Sequence, residues 1–328
     1  MTKTARRPAS DVSPLDILSE TFHVLRLLPL GVPCAYYVGT LPFVLGFLFF
    51  WADMSRSAFA VGHCLAAAAG MAALFVWMKC WQAVFAGGVR TALSGLPAVP
   101  FTPRRLARLA ATQLTVQPYG LLLIPLAILL LVPFYSVYTF FQNVTAMGDG
   151  TDPDLRSVAR RAWRQALLWP KQNHVLLWLL CPWLLALGLL AAFGGMWLAL
   201  SLTPELQQIH GILWFLLSLV ILSNLILPLC PFACAVAGNL AILLAVLPRF
   251  LDSLLGTQSV FTLSGLHGIV NTTFLITVYG LSYLCLDPLM KTVYALRCFL
   301  GESQATGDDI RAEWRACREG TPEGGPGK

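Results

Sequence analysis

The chain has 328 residues, of which 57% are hydrophobic and 12% charged, and the charged share is about half that of an average soluble domain. A chain with a mean hydropathy of +0.70 cannot cover itself with a wetted surface, so composition excludes an ordinary soluble domain. The net charge of +6 sits beside apolar segments instead of in one patch, which argues against nucleic acid and for orientation in a membrane.

A hydrocarbon core of roughly 30 Å is crossed by about 20 apolar residues in helical form. Such segments recur from Leu30 to Pro288. The N-terminus does not read as a secretory signal: an amphipathic stretch precedes the first apolar run, and no small-residue cleavage site follows it. The nine cysteines are odd in number and mostly lie inside apolar runs, where a thiol behaves as a small hydrophobe.

Residues 1–12 are polar and read as disordered. Ser13-Pro14-Leu15-Asp16 then predicts a helix start, with a serine cap and proline in the first turn. Leu15, Leu18, Phe22 and Leu25 follow at helical spacing, giving an interfacial helix over about 13–28. The first crossing is predicted at about 30–51 and the second at about 58–82, running on as helix to Arg90. In the second, Gly62, Ala66 and Gly70 repeat every four residues, the spacing that lets backbones pack closely in lipid.

Basic residues decide the next region. Arg104, Arg105 and Arg108 precede the run 106–147, and Arg156, Arg160, Arg161, Arg164 and Lys171 follow it. A single crossing would put one cluster outside, so a hairpin is predicted, about 108–131 out and 134–147 back, broken at Pro133. The return arm is short, and burial in protein instead of lipid would suit it. Residues 151–169 predict a second surface helix. Its apolar stripe is Leu155, Val158, Ala159, Ala162, Trp163, Ala166 and Leu167, and its arginines lie opposite.

A crossing at about 175–201 precedes a polar loop over 203–208. The stretch 211–247 is broken at Pro228 and Pro231 and reads as two helices, 249–264 as interfacial, and 268–288 as the last crossing, helical towards Phe299. The tail 301–328 is polar, and shorter than the about 50 residues of a separate domain. With both termini cytoplasmic, only Arg56 and Arg249 fall outside and Lys79 inside a helix. The fold expected is therefore all-α: a polytopic transmembrane bundle of about eight membrane helices plus two interfacial ones. A six-crossing arrangement keeps the same parity.

Three short stretches carry a family likeness. They are Leu130-Leu131-Val132-Pro133-Phe134-Tyr135, Ser157-Val158-Ala159-Arg160-Arg161-Ala162-Trp163, and Thr292-Val293-Tyr294-Ala295-Leu296-Arg297. The chain resembles the membrane domain of bacterial glycerophosphodiester phosphodiesterases and its multi-helix membrane relatives, across about 13–300 in organisation but specifically only at those three places. It departs at Phe134 and Ala162, where the family pattern has glycine and serine, and at 228–252, which looks like an addition. The family's catalytic barrel is absent, so the resemblance implies a helical membrane module and no phosphodiester hydrolysis.

Chemistry is sparse. His23, His63, His174, His210 and His267 are dispersed, and neither His63-Cys64 nor Cys230 with Cys234 has the spacing of a metal site. No catalytic, cofactor or metal residues are assigned. Asp287 and Lys291, one turn apart, read either as an intramembrane ion pair or as a water-reached pair at the end of the last helix, and their place near Arg297 favours the second. Asn224, Asn239 and Asn271, like Gln142, are polar groups near membrane depth, suited to a transport path or to ties between helices. Arg156, Arg160, Arg161 and Arg164 are candidate contacts for anionic lipid or a protein partner, although orientation alone would explain them. The leading expectation is a non-enzymatic membrane scaffold or accessory subunit acting with a membrane or cytoplasmic protein. A transporter or channel for a small solute or lipid is the alternative.

Overall fold

The structure is a computed structural model and describes residues 13–97, 99–130, 134–181, 231–255 and 271–319. Every element among the described residues is a helix. They are α1 (Pro14–Leu27), α2 (Gly31–Arg56), α3 (Ala60–Ser94), α4 (Pro103–Leu130), α5 (Phe134–Met147), α6 (Leu155–Leu167), α7 (Pro170–Leu180), α8 (Pro231–Leu255), α9 (Thr272–Thr306) and α10 (Asp308–Glu319). Five of these, α2, α3, α4, α8 and α9, are long and apolar enough to cross a membrane. The expected breaks at Pro133 and Pro228, most of the 175–201 crossing, the loop at 203–208 and residue Asn224 lie outside the described residues.

The chain divides into two compact units. One comprises Met1–Gly46, Leu65–Asn173 and Pro288–Lys328; the other comprises Phe47–Cys64 and His174–Asp287. In the first, α1 starts as the sequence predicts: Pro14 occupies the first turn and the Ser13 hydroxyl accepts the Leu15 amide. The buried face is Ile17, Thr21 and Val24, while Leu15 and Phe22 point outward. The helix has two apolar arcs, and periodicity alone does not say which meets protein. Val24 and Leu28 join Tyr36 of α2, Phe85 and Val89 of α3, Val144 and Met147 of α5, Val158 and Ala162 of α6, and Ala295 and Cys298 of α9 in one buried core.

The close approach between α2 and α3 is not at the predicted small-residue repeat. A Cβ added at Gly62 or Gly70 would meet nothing, whereas one at Gly39 would collide with the root of the Trp81 side chain. Trp77 adds to the same seam by donating to the Val38 carbonyl at 3.2 Å. Between α5 and α6, Gly150 has φ +81, and a Cβ there would run into the Arg105 carbonyl, so the turn requires glycine.

α5 is only 14 residues, about 21 Å long, and ten of them are buried, including Ser136, Thr139, Gln142, Asn143 and Thr145. In the second unit, Ala233 and Ala237 of α8 pack with Val278 and Leu286 of α9, and Arg56 donates to the Thr273 hydroxyl at 2.9 Å. α8 runs through Pro248 to Leu255, so 249–255 extends that helix and does not begin a separate surface element. At the C-terminal end, α9 continues to Thr306 and α10 follows. There is ordered helix where a polar tail was expected, with the carboxylates of Asp308 and Asp309 in its first turn.

Candidate functional site in a buried polar core and a basic surface helix

The polar residues of α5, α7 and α9 converge inside the first unit. Asn173 is their hub. Its amide nitrogen donates to the Thr139 hydroxyl at 2.5 Å and to the Tyr135 carbonyl at 3.3 Å. Its carbonyl oxygen accepts the Tyr294 hydroxyl at 2.8 Å and the Arg297 guanidinium at 2.7 Å. Arg297, 3% exposed, also donates to Gln172 Oε1 at 3.2 Å and the Leu168 carbonyl at 2.9 Å, with its charge 5.6 Å from the centre of the Tyr294 ring. Three neutral acceptors therefore hold a buried cation, and among the described residues no carboxylate pairs with it. Next along the chain from Leu168, Trp169 sits at φ +48, a conformation that a bulky side chain rarely adopts, within the segment this arginine clamps.

Lys291, 2% exposed, donates to Gln142 Oε1 at 2.6 Å, and Asp287 is 1% exposed. The expectation of a water-reached pair at a helix end is corrected here. α9 runs on past them as expected, but both side chains are enclosed by protein and not reached by water. Asn143 donates to the Ala162 carbonyl of α6 at 3.1 Å and accepts the Cys298 thiol at 3.3 Å. In the second unit Asn239 donates to the carbonyl of Ala235 on its own helix, and Asn271 accepts the Thr273 amide, capping α9. Both are exposed, so neither joins the buried core.

A charge cluster closes one end of the first unit. Glu302 of α9 pairs with Arg90 of α3 at 2.5 Å and with Arg161 of α6 at 3.6 Å, and Arg161 also reaches Asp152 at 2.7 Å. The Asp152 carboxyl is held below the usual aspartate range, first by the Ser157 hydroxyl, then by the Asp154 amide, with a smaller pull from the Arg161 charge. Arg105 pairs with Asp149 at 3.1 Å and stacks over Phe101. Arg315 of α10 donates to the Ser94 carbonyl at the end of α3.

The basic surface helix α6 is capped by Asp154, whose carboxylate accepts the amides of Arg156 and Ser157. Its buried stripe is Val158, Ala162 and Ala166. Trp163 and Leu167, expected on that stripe, are 43% and 52% exposed and lie on the arc that carries Arg156, Arg160 and Arg164. The four arginines thus separate: Arg161 is bound internally, and the other three face outward without an ion pair among the described residues.

Between α3 and α4 lies a cavity of about 920 Å³ walled by Ala73, Trp77, Trp81, Leu106, Leu109 and Leu114, among other apolar side chains. Comparison with protein-family models, with curated proteins and with solved structures found no match.

Sequence reasoning missed Asn173, Tyr294 and Glu302 as organising residues. The visible signal was the polar run Lys171-Gln172-Asn173-His174 between apolar stretches, together with Tyr294 and Arg297 in the last of the three family-like stretches.

Proposed function

We propose that the chain is a polytopic inner-membrane protein whose role is non-enzymatic, a scaffold or accessory subunit for a partner protein. One observation carries this reading. The polar groups of α5, α7 and α9 are spent on one another: Asn173 on Thr139, Tyr294 and Arg297, Lys291 on Gln142, and Asn143 on the α6 backbone. Groups committed to ties between helices build a fixed body more readily than a path for solute. The resemblance to the phosphodiesterase membrane domain suits this reading, and two of its three stretches pack together: Val158 and Ala162 share a core with Ala295. The partner is a membrane or cytoplasmic protein. Purification of the full chain in mild detergent is expected to bring down one such protein in fixed ratio. A chain that purifies alone and conducts solute in vesicles would overturn the reading.

Transport of a small solute or lipid is the second reading, favoured by Asp287 and Lys291, two buried ionisable groups on either side of Pro288. Flux in vesicles of the purified chain that disappears in Asp287→Asn would select it. Loss of Asn271→Leu activity alone would not, because that change removes a helix cap.

The membrane arrangement proposed is about eight helices with both termini cytoplasmic. It is supported by which residues meet. Arg56, expected outside, is bonded to Thr273 near the start of the last predicted crossing, and Arg90, Arg161 and Glu302, all expected inside, form one cluster.

A further inference from the structure

We infer that the outward arc of α6 is a docking surface for the phosphate headgroups of anionic phospholipid in the bilayer that the chain occupies. The rotation of this helix is settled by its burial. Val158, Ala162 and Ala166 face the core, the Asn143 amide grips the Ala162 carbonyl, and Trp163 stacks edge-on to Phe140 of α5 at 5.9 Å. What lies opposite is therefore fixed as well. Arg156, Arg160 and Arg164 recur every four residues along one row, with Trp163 and Leu167 beside them on the exposed side.

Two features set this arc apart from a merely solvated face. First, the division among the arginines is sharp: Arg161 meets two carboxylates, while the side chains of Arg156, Arg160 and Arg164 make no hydrogen bond or ion pair among the described residues. Second, the same arc exposes an indole and a leucine. Water penalises them, but the boundary between headgroups and acyl chains accommodates an indole ring and an apolar side chain beside cations. α1 repeats the second feature from the same core, with Leu15 63% exposed beside Phe22. A row of cations with interleaved apolar side chains complements a phosphate layer above hydrocarbon, and a soluble anion would use only the cations.

The inference rests on the membrane reading above, and the two fail separately. Recovery of the intact chain from buffer without detergent ends the first; a loss of lipid preference ends only the second. The test uses the full chain in a neutral detergent, titrated with phosphatidylglycerol or phosphatidylcholine, with bound lipid counted by native mass spectrometry. Phosphatidylglycerol is expected to bind preferentially. The affinity should fall about fivefold for each arginine changed to glutamine, and roughly a hundredfold for R156Q/R160Q/R164Q. The matching lysine variant should keep most of the binding, since a phosphate accepts a point charge. Trp163→Ala should weaken binding without removing the preference. Equal binding of the two lipids, undiminished phosphatidylglycerol binding by the folded glutamine variant, or displacement of the lipid by the same concentration of glycerol phosphate would each overturn the inference. Folding of the variants is checked by circular dichroism and gel filtration, which these outward positions should leave unchanged.

Discussion

The carbonyl oxygen of Asn173 accepts both the Tyr294 hydroxyl and the Arg297 guanidinium, so Asn173→Leu would leave a buried cation and a buried hydroxyl short of an acceptor. Removing one partner from such a set costs about 2–3 kcal/mol, more than the bond itself contributes. A clear drop in the thermal midpoint in detergent is expected for Asn173→Leu, and a smaller drop for Asn173→Leu combined with Arg297→Leu, which removes the charge as well. Glycine packing gives a second contrast at this scale. Gly39→Ala must displace the Trp81 backbone-proximal atoms and should destabilise by about 1–3 kcal/mol, whereas Gly70→Ala meets open space and should be neutral or slightly stabilising. If both were equally harmful, the placement of the α2–α3 contact would be wrong.

At the scale of the element, caps and first turns are legible in the sequence, and the arc that meets protein is not. The Ser13 cap and Pro14 depend on neighbours within four residues, and both are found. Which arc of α1 or α6 faces protein depends on partners far along the chain. Here an amphipathic pattern with a bilayer on one side and a core on the other has two apolar arcs to choose from. The missed α10 is different. Ile310 and Trp314 lie four apart with acidic residues before them, a helix pattern legible in the sequence. Burial of Lys291 was invisible because Gln142 stands 149 residues away.

Asp152 supplies a pH test of α6. Its carboxyl titrates below the ordinary aspartate value in the folded chain, so the ionised form stabilises the fold. That contribution is complete above the unfolded value of about 4 and is lost as pH falls through the lower folded value. Asp152→Asn should therefore lower the thermal midpoint at neutral pH, with the two curves drawing together as the solution becomes acidic. Curves that stay equally far apart at every pH would deny the carboxylate this role.

For the whole molecule, composition foretold helices suited to lipid, and the structure has five of that kind among its described residues. The arrangement in the membrane is open to a direct check. In a chain cleared of its nine cysteines, Ser157→Cys should react with an impermeant thiol reagent only from the cytoplasmic side, and Phe59→Cys only from the opposite side. Both labelled from one side would require a different number of crossings.

The enclosure of α5 has a consequence for how the protein is made. Thr139, Gln142 and Asn143 reach the translocation machinery well before Tyr294, Lys291 and Cys298, the partners they bond 149 to 155 residues later. Until α9 has been synthesised, Gln142 lacks the Lys291 ammonium, and Thr139 and Asn143 have only the bonds that α6 and α7 supply, for which hydrocarbon is a costly substitute. The nascent chain is expected to keep α5 sheltered, against its own α4, α6 and α7 and the insertion machinery, for the time the ribosome takes to add those residues. A ribosome-arrested chain stalled before Thr272 should crosslink to that machinery through α5, and one stalled after Thr306 should have let it go.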